Sequence, residues 1–404
     1  MPTSSKFPLL LLPLLVLNQV LKLMTPFELI AVSLCSKTSQ KICKSIRTRA
    51  QCEKPGYLSE FSLCYSVIQE IRLSFYGTTD WGIYIKKMPP QRIKARGLWS
   101  RVKSVFRREK AVRELEEVMQ GVYYSGIKIR KHPEKNERCL ILRHSGDHVS
   151  ATKNLILYLE DLFNITLKVL DLHIHPFDDE ECYEIVDTFC SKPISDFQLS
   201  SRLIVGESKQ ELIHRLLNRQ TASNNLYWYF DTTPEFKYDF TTLNTKFNRI
   251  SIKYAQWMLL DDILNMEVQF LFLYETSFKA TDLKKLLQEW INGWRPKWIA
   301  VKIQFCEDVE LHNLIAEIRD EIVISENEEN DEEARRTRFL GSVEIVERPD
   351  GIQHKIEYRI FRPNFISGII SMVNRREGGI QFYTQPEKSI FSETYDGTRY
   401  NLHI

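Results

Sequence analysis

The sequence predicts an α/β protein in which a small helical region precedes a larger mixed α/β region. Three observations support this fold class. Apolar residues recur at helical spacing between Pro13 and Met24. A helix pattern over residues 281–291 is followed, after a short connection, by the strand pattern of residues 298–305, which is the order found in α/β folds. The 404 residues are 43% hydrophobic and 27% charged, which is ordinary for a globular chain of one large or two to three modest domains.

Residues 7–46 predict three short helices. The first begins near Pro13, because a proline in the first helical turn loses no hydrogen bond. Thr25 is expected to cap the second helix, and Glu28 to complete a capping box. Ser36 is expected to cap the third. Together these helices have more apolar surface than forty residues can bury alone, which indicates that a partner covers it.

This segment resembles the F-box motif, which we place at residues 4–50. The resemblance is carried by the Leu12-Pro13 pair, the proline-initiated second helix and the run Val32-Ser33-Leu34-Cys35-Ser36-Lys37. It implies that the helices bind the Skp-type adaptor of a cullin-RING ubiquitin ligase, and cullin through that adaptor. The residues implied in this contact are Leu12, Pro13, Leu17, Val20, Leu21, Leu29, Ile30, Ser33 and Leu34.

Two other interpretations of the apolar start were weighed. Lys6 followed by the apolar run of residues 7–17 fits a secretory signal peptide, but no small-residue cleavage site follows closely, and a capping box has no purpose in a segment that is removed. A membrane span needs about 20 apolar residues, whereas this run is shorter and is broken by Pro13. We therefore expect no membrane anchor, and a secreted globular protein with a cleaved leader is the alternative hypothesis.

Charge and cysteine usage limit the remaining classes. The net charge of +2 gives no global field for nucleic acid, which is not favoured as a partner. The eight cysteines form no Cys-x-x-Cys pair and follow no zinc or disulfide spacing. Reduced thiols in a cytoplasmic or nuclear protein are the expectation.

Residues 51–150 are predicted to connect the helical region to the rest of the chain. Residues 56–85 alternate in the manner of short strands, with a turn at residues 77–80. Residues 86–113 contain eleven Lys or Arg and one acid, and they predict a basic amphipathic helix from Leu98. A localisation or nucleic-acid patch and a membrane-surface helix are possible functions, but a helix packed on the domain with its charges in water is favoured.

Residues 151–404 predict alternating helices and strands. Helices are expected at residues 151–163 and 210–217, and strands at residues 167–174, 248–253, 266–274 and 298–305. Between the last two strands, Thr281 is expected to cap a helix that Asn292-Gly293 ends in the left-handed conformation. The loose repetition of strand and helix is compatible with a leucine-rich-repeat-like form, although no strict period survives.

A second resemblance lies in this region, over about residues 245–361. The segment Asp282–Gly293, then Pro296-Lys297 and the following strand, is similar to the type 2 F-box-associated domain of the expanded nematode F-box families. Trp294 and Arg295 depart from the small polar residues expected there. Residues 307–338 are polar, with an acidic run at 326–333 that predicts an exposed loop. A hairpin turn is predicted at residues 348–351, between strands at 339–346 and 353–361.

Motifs for catalysis are weak. His173 and His175, followed by the acidic residues 178–181 and Cys182, form the best metal candidate, because alternate strand residues share a face. A strand that ends in an acidic turn explains the same pattern and is favoured, so we predict no metal, no cofactor and no catalytic residue. An α/β enzyme that uses this histidine pair is a third hypothesis.

The leading hypothesis is a non-catalytic adaptor in the ubiquitin conjugation pathway. Its helical region would bind the Skp adaptor, and residues 151–404 would bind a protein substrate whose identity the sequence does not give. Such an adaptor acts by raising the effective concentration of substrate near the ubiquitin-carrying enzyme.

Overall fold

The computed structural model describes residues 12–50, 58–75, 81–87, 128–131, 138–144, 147–233, 235–326, 338–348, 351–361, 367–373 and 379–383. The chain forms two compact units, Met1–Phe197 and Gln198–Ile404. Among the described residues, no helix combines the length and the apolar character that a membrane crossing requires.

The first unit combines helices with a mixed sheet. Its helices are α1 (Leu14–Lys22), α2 (Pro26–Ser33), α3 (Lys37–Ala50), α4 (His148–Phe163) and α5 (Asp179–Phe189). Its strands are β1 (Leu58–Tyr65), β2 (Gln69–Phe75), β3 (Trp81–Lys87), β4 (Lys128–Lys131), β5 (Arg138–His144) and β6 (Val169–His173). They hydrogen-bond in the order β6-β1-β2-β3-β5-β4, with β1 to β3 antiparallel and both β6 on β1 and β5 on β3 parallel.

The three N-terminal helices begin as the sequence predicts. The Thr25 N–H donates to Glu28 Oε2 at 2.7 Å and the Glu28 N–H donates to Thr25 Oγ1 at 3.3 Å, which completes the predicted capping box. The Ser39 N–H donates to Ser36 Oγ at 3.0 Å at the start of α3. These caps satisfy amide groups that a helix start would otherwise leave unpaired.

Helix α4 begins earlier than predicted. Asp147 caps it by accepting hydrogen bonds from the Val149 and Ser150 amides at 3.3 and 2.7 Å. His148 is therefore the first residue of the helix. The acidic run before Cys182 also has a structural role, because the Asp178 carboxylate accepts from the Glu181 N–H at 2.8 Å and caps α5.

The second unit contains parallel strands followed by antiparallel ones. Strand β7 (Asp196–Ser200) lies at the boundary between the units, and the helices that follow are α6 (Gln210–Arg219), α7 (Leu260–Asn265), α8 (Ala280–Ile291) and α9 (Leu311–Glu326). The strands are β8 (Asn225–Tyr229), β9 (Arg249–Ile252), β10 (Phe270–Leu273), β11 (Ala300–Ile303), β12 (Arg338–Arg348), β13 (Gly351–Phe361), β14 (Ser367–Val373) and β15 (Gly379–Tyr383). Their order is β8-β9-β10-β11-β15-β14-β13-β12.

Strands β8 to β11 are parallel neighbours in chain order, and α7 and α8 form the crossovers from β9 to β10 and from β10 to β11. They begin at residues 225, 249, 270 and 300, so the repeat has no fixed length. From β15 to β12 the pairing becomes antiparallel. The parallel sheet is the predicted α/β arrangement, while the leucine-rich-repeat-like form stays a prediction.

The helix α8 ends as predicted but begins differently. Gly293 has φ +106°, and the Gly293 and Trp294 amides donate to the carbonyls of Trp290 and Glu289 at 3.2 and 3.0 Å, which is a Schellman ending. At the other end Thr281 lies inside the helix. The first turn is instead closed by Asp282 Oδ2, which accepts from the Lys279 N–H at 2.8 Å.

Three of the helices that the structure describes were missed in the sequence: α5 (Asp179–Phe189), where a strand ending in an acidic turn was favoured, α7 (Leu260–Asn265) and α9 (Leu311–Glu326). Residues 311–326 form α9, although we expected residues 307–338 to be only polar. Leu311, Leu314, Ile315 and Ile318 are buried at i, i+3, i+4 and i+7, which is a helical period just before the acidic run. The strands on both sides of the predicted hairpin are confirmed by the antiparallel pairing of β12 with β13, closed by Arg348 opposite Gly351.

Four predictions fall wholly or partly outside the described residues: the turn at 77–80, the basic helix from Leu98, the acidic run from residue 327 onward and residues 349–350 of the hairpin turn. The first eleven residues, with residues 7–11 of the apolar run that resembles a signal peptide, also lie outside them.

Candidate protein-interaction surfaces

Helix α1 presents a band of apolar side chains to solvent, here named the α1 apolar face. Its members are Leu15, Val16 and Leu23, with 78%, 46% and 86% of their surface exposed, and Leu14 at the start of the helix is 65% exposed. Ten large apolar side chains are well exposed in the part of the chain that the structure describes, and these four lie within ten consecutive residues. Such concentration on one short helix is typical of a binding surface, since isolated exposed apolar residues are ordinary.

The opposite side of α1 anchors it to the unit. Leu17 and Leu21 are 2% and 1% exposed, and they lie one helical turn apart on the side away from Leu15 and Leu23. α1 packs against α3, which in turn packs against α2 and α4. The apolar face is therefore carried on a helix with its own buried attachment.

Polar and aromatic contacts fix the three helices to the first unit. Phe27 of α2 meets Trp81 of β3 edge to face, with ring centroids 4.7 Å apart. Ser33 Oγ donates to the Ile30 carbonyl at 2.7 Å and also hydrogen-bonds the Tyr158 hydroxyl of α4. Burial raises the pKa of Tyr158 well above its usual range, so its hydroxyl stays neutral in this contact.

The structure divides the residues predicted to bind the Skp adaptor into two groups. Leu17, Leu21, Ile30, Ser33 and Leu34 are buried, each no more than 4% exposed. Leu12, Val20 and Leu29 are half-buried and Pro13 is exposed. The buried group has almost no surface left for a partner, so its contribution would be to hold the helices in place.

The α1 apolar face was missed by the sequence argument. The signal was available, because residues 15, 16 and 23 lie on the side of a helical projection opposite residues 17 and 21. The residues predicted to bind the adaptor were chosen by motif position. That choice favoured the apolar residues at the strongest helical period, and those residues pack inward.

A second candidate surface lies in the second unit, at a cavity of about 200 Å³. Its lining is mostly apolar and comes from Phe240, Thr241, Leu243, Thr245, Lys246, Phe247, Ile250, Asn265, Met266, Glu267 and Val268. At its edge Lys246 Nζ lies 3.1 Å from Glu267 Oε2, and Lys297 pairs with the same carboxylate. The cavity therefore combines an apolar interior with a charged rim.

A cluster of buried aromatic side chains packs next to the cavity. Trp228 is fully buried and has the rings of Phe230, Phe236, Tyr238 and Trp257 within 5.8 Å, centroid to centroid. Phe240, which lines the cavity, also lies 4.9 Å from the Tyr238 ring. Because tightly packed aromatic rings resist rearrangement, this core holds one wall of the cavity in place.

The predicted histidine pair is not brought together as one site. His173 lies in β6, with Nε2 3.6 Å from Asp171 Oδ2, whereas His175 lies in the turn beyond the strand and is exposed. The acidic residues that follow cap α5 instead of facing both histidines.

Two segments of the chain match known protein families. Residues 9–50 match the family described as F-box domain, and residues 240–298 match the family described as F-box associated. The first match contains the α1 apolar face, and the second contains every residue that lines the cavity. No curated protein and no solved structure shows a significant match to the chain.

The two matches define a class. A chain with an F-box and an F-box-associated domain has the features of a protein-interaction subunit, an adaptor of a ubiquitin ligase complex. The F-box domain is the part that binds Skp adaptors in such complexes.

Proposed function

We propose that this protein is a substrate-recognition adaptor of an SCF-type ubiquitin ligase. Its F-box would bind the Skp adaptor, which links it to cullin, and its second unit would bind a protein substrate. One observation carries the proposal above the others: the segment that matches the F-box domain also holds the largest concentration of exposed apolar side chains in the described structure.

The proposed Skp contact uses the exposed side of the F-box. The α1 apolar face would enter an apolar groove, the mode in which a helix binds through a few aliphatic anchors. Leu12, Pro13, Val20 and Leu29 keep some exposure and would extend this contact. The five buried residues of the predicted set would act from beneath, by fixing the angle of α1.

The role needs no catalytic group. Proteins with these two domains are typically non-catalytic, and the chemistry of ubiquitin transfer belongs to the enzyme brought alongside. The adaptor contributes proximity, because two reactants held in one complex meet at a high effective concentration.

We place the substrate contact at the cavity of the second unit. A dry apolar cavity of about 150 Å³ is enough to bind benzene, so this one has room for an apolar side chain of similar size. Two lysines and one glutamate stand at its rim, which favours a carboxylate next to that side chain. The proposed substrate feature is an apolar residue flanked by an acidic one.

The cellular compartment and the finer family assignment are part of the same proposal. An SCF subunit works in the cytoplasm or nucleus, and we assign this chain there. The similarity of residues 282–298 to the nematode F-box-associated domains is the basis for the finer family assignment. The parallel strands β8 to β11 are the basis for proposing a leucine-rich-repeat-like substrate region.

The experiment is affinity capture of the full chain with the Skp adaptor. The test variant carries Leu15→Asp and Leu23→Asp, which change exposed side chains and leave the buried anchors intact. A matched control carries Leu203→Asp and Ile204→Asp, because these residues are 53% and 64% exposed and lie outside the F-box.

We expect the control to retain the adaptor and the test variant to lose it by at least about tenfold, a difference of 1.4 kcal/mol in binding free energy. Circular dichroism should show both variants folded. Equal capture by wild type and test variant would contradict the proposal. An N-terminus that begins after about residue 20 in the protein isolated from cells would instead support the secreted alternative.

A further inference from the structure

Strands β1 and β6 place three residues of different chemistry on one face of the sheet. The strands are parallel neighbours, and their register sets Cys64 directly opposite Asp171. His173 follows Asp171 by two residues, so its side chain leaves the strand on the same face. The sequence separation between residues 64 and 171 explains why no motif revealed this group.

The three side chains converge closely. One ligand atom from each, the Cys64 Sγ, an Asp171 carboxylate oxygen and a His173 ring nitrogen, lies within 4.8 Å of the other two. All three residues are half-buried, which keeps the group accessible to an ion while limiting the water around it. His173 and Asp171 have 22% and 20% of their side-chain surface exposed.

A further carboxylate stands beside them. Strand β2 pairs with the other edge of β1, and Glu70 lies directly opposite Cys64 in that register. The Glu70 Oε1 is 3.2 Å from an Arg72 guanidinium nitrogen, so this carboxylate already has a cationic partner. Glu70 is therefore a neighbour of the group, and Arg72 is the cation paired with it.

We propose that Cys64, Asp171 and His173 bind a zinc ion. Thiolate, imidazole and carboxylate are the ligands that zinc takes in proteins, and the mixture of soft and borderline donors favours zinc over calcium or magnesium. Tetrahedral bonds of the usual zinc lengths set ligand atoms about 3.5 Å apart, and the His173 Nε2 and Asp171 Oδ2 already lie 3.6 Å apart. On binding, the thiol proton leaves to solvent and the sulfur becomes the zinc-bound thiolate.

Three protein ligands leave a fourth position for water or for Glu70. Since the ligands come from β1 and β6, the ion would link the strand that follows the F-box to a strand more than a hundred residues later. Binding to the folded chain alone would stabilise it by mass action. His175 has no part in the site, which distinguishes it from the histidine pair suggested by the sequence.

The test uses the full chain, dialysed against micromolar zinc and then metal-free buffer, with zinc measured by elemental analysis. We expect one zinc per chain in the wild type. Cys64→Ser and His173→Ala should each lower the bound zinc by at least tenfold. The matched controls His175→Ala and Cys306→Ser change an exposed histidine and an exposed cysteine elsewhere, and they should keep it.

Cobalt gives a second measurement on the wild type that does not depend on how the variants fold. Cobalt(II) exchanged into the wild-type site should show thiolate-to-metal charge-transfer absorption, which reports a cysteine sulfur bound to the metal. A wild type without stoichiometric zinc overturns the proposal, and so does zinc retained by Cys64→Ser or His173→Ala. Loss of zinc in His175→Ala would assign the ion to the histidine pair instead, and would overturn the site described here.

Discussion

Helices α1 and α8 each have a buried apolar side, but their exposed sides differ. In α8 the apolar residues Leu283, Leu286, Leu287 and Trp290 are all buried, and the exposed positions are Thr281, Lys285 and Glu289. In α1 only Leu17 and Leu21 are buried, while the exposed side is also apolar. The apolar residues of α8 are all packed within its own unit, whereas α1 leaves apolar side chains exposed to solvent.

The two helix ends differ in the same way. α8 ends in a Schellman motif at Gly293, and the next residue, Trp294, packs its ring against Trp298 at 5.5 Å between centroids. α1 ends at Leu23, which is 86% exposed. A single exposed apolar residue is ordinary, but Leu23 joins Leu15 and Val16 on one side of α1, and such a group is typical of a binding surface. The comparison teaches that the period of a helix identifies its buried side, while the composition of its other side indicates whether a partner is needed.

The largest effect is expected where α8 is most buried. Trp290→Ala removes a ring that is 1% exposed and meets Phe382 edge to face at 5.4 Å. The cavity left behind should lower the free energy of unfolding by about 3–5 kcal/mol. Denaturant unfolding followed by circular dichroism measures this. Glu289→Ala is the neighbouring exposed control and should stay within about 0.5 kcal/mol, and a comparable loss in both variants would mean that α8 is not divided into a buried and a free side.

The next effect separates the two sides of α1. Leu21→Ala, on the buried side, should lower the protection of α1–α3 amides against hydrogen exchange by about 2–5 kcal/mol. Leu15→Ala on the α1 apolar face should change it by less than about 0.5 kcal/mol, because Leu15 is 78% exposed.

Leu15→Ala should affect binding more than folding. It should weaken capture of the Skp adaptor while the protection of the α1–α3 amides stays nearly unchanged. If Leu15→Ala destabilised the helices as much as Leu21→Ala does, the α1 apolar face would be part of the core and the contrast with α8 would fail.

The elements that local chemistry specifies were predictable from the sequence. The capping box of Thr25 and Glu28, the left-handed Gly293 and the parallel strands β9 to β11 all follow from neighbouring residues or from short crossovers. Helix α9 was missed although its buried residues have a helical period, and helices α5 and α7 and strands β14 and β15 were not predicted at all.

The candidate sites were less predictable, because they depend on long-range packing. Which side of α1 faces inward is decided by its contact with α3, and Ser33 is buried against Tyr158, a residue 125 positions away. The grouping of Cys64 with Asp171 comes from the register of two strands that are distant in sequence. Local patterns contain no information on such pairings, so the sequence suggested His175 as the neighbour of His173.

The smallest effect concerns how α8 ends. Gly293 has φ +106°, a conformation that costs a residue with a side chain roughly 1–2 kcal/mol. A Cβ at this position meets no atom within 4 Å, so the effect of Gly293→Ala is conformational and not steric. We expect the free energy of unfolding to fall by about 1 kcal/mol, measured by the same denaturant unfolding, while Asn292→Ala, with an ordinary φ of −71°, should change it less. Equal effects of the two variants would show that the Schellman ending does not stabilise α8, and the difference between the two helix ends would then lie in their side chains alone.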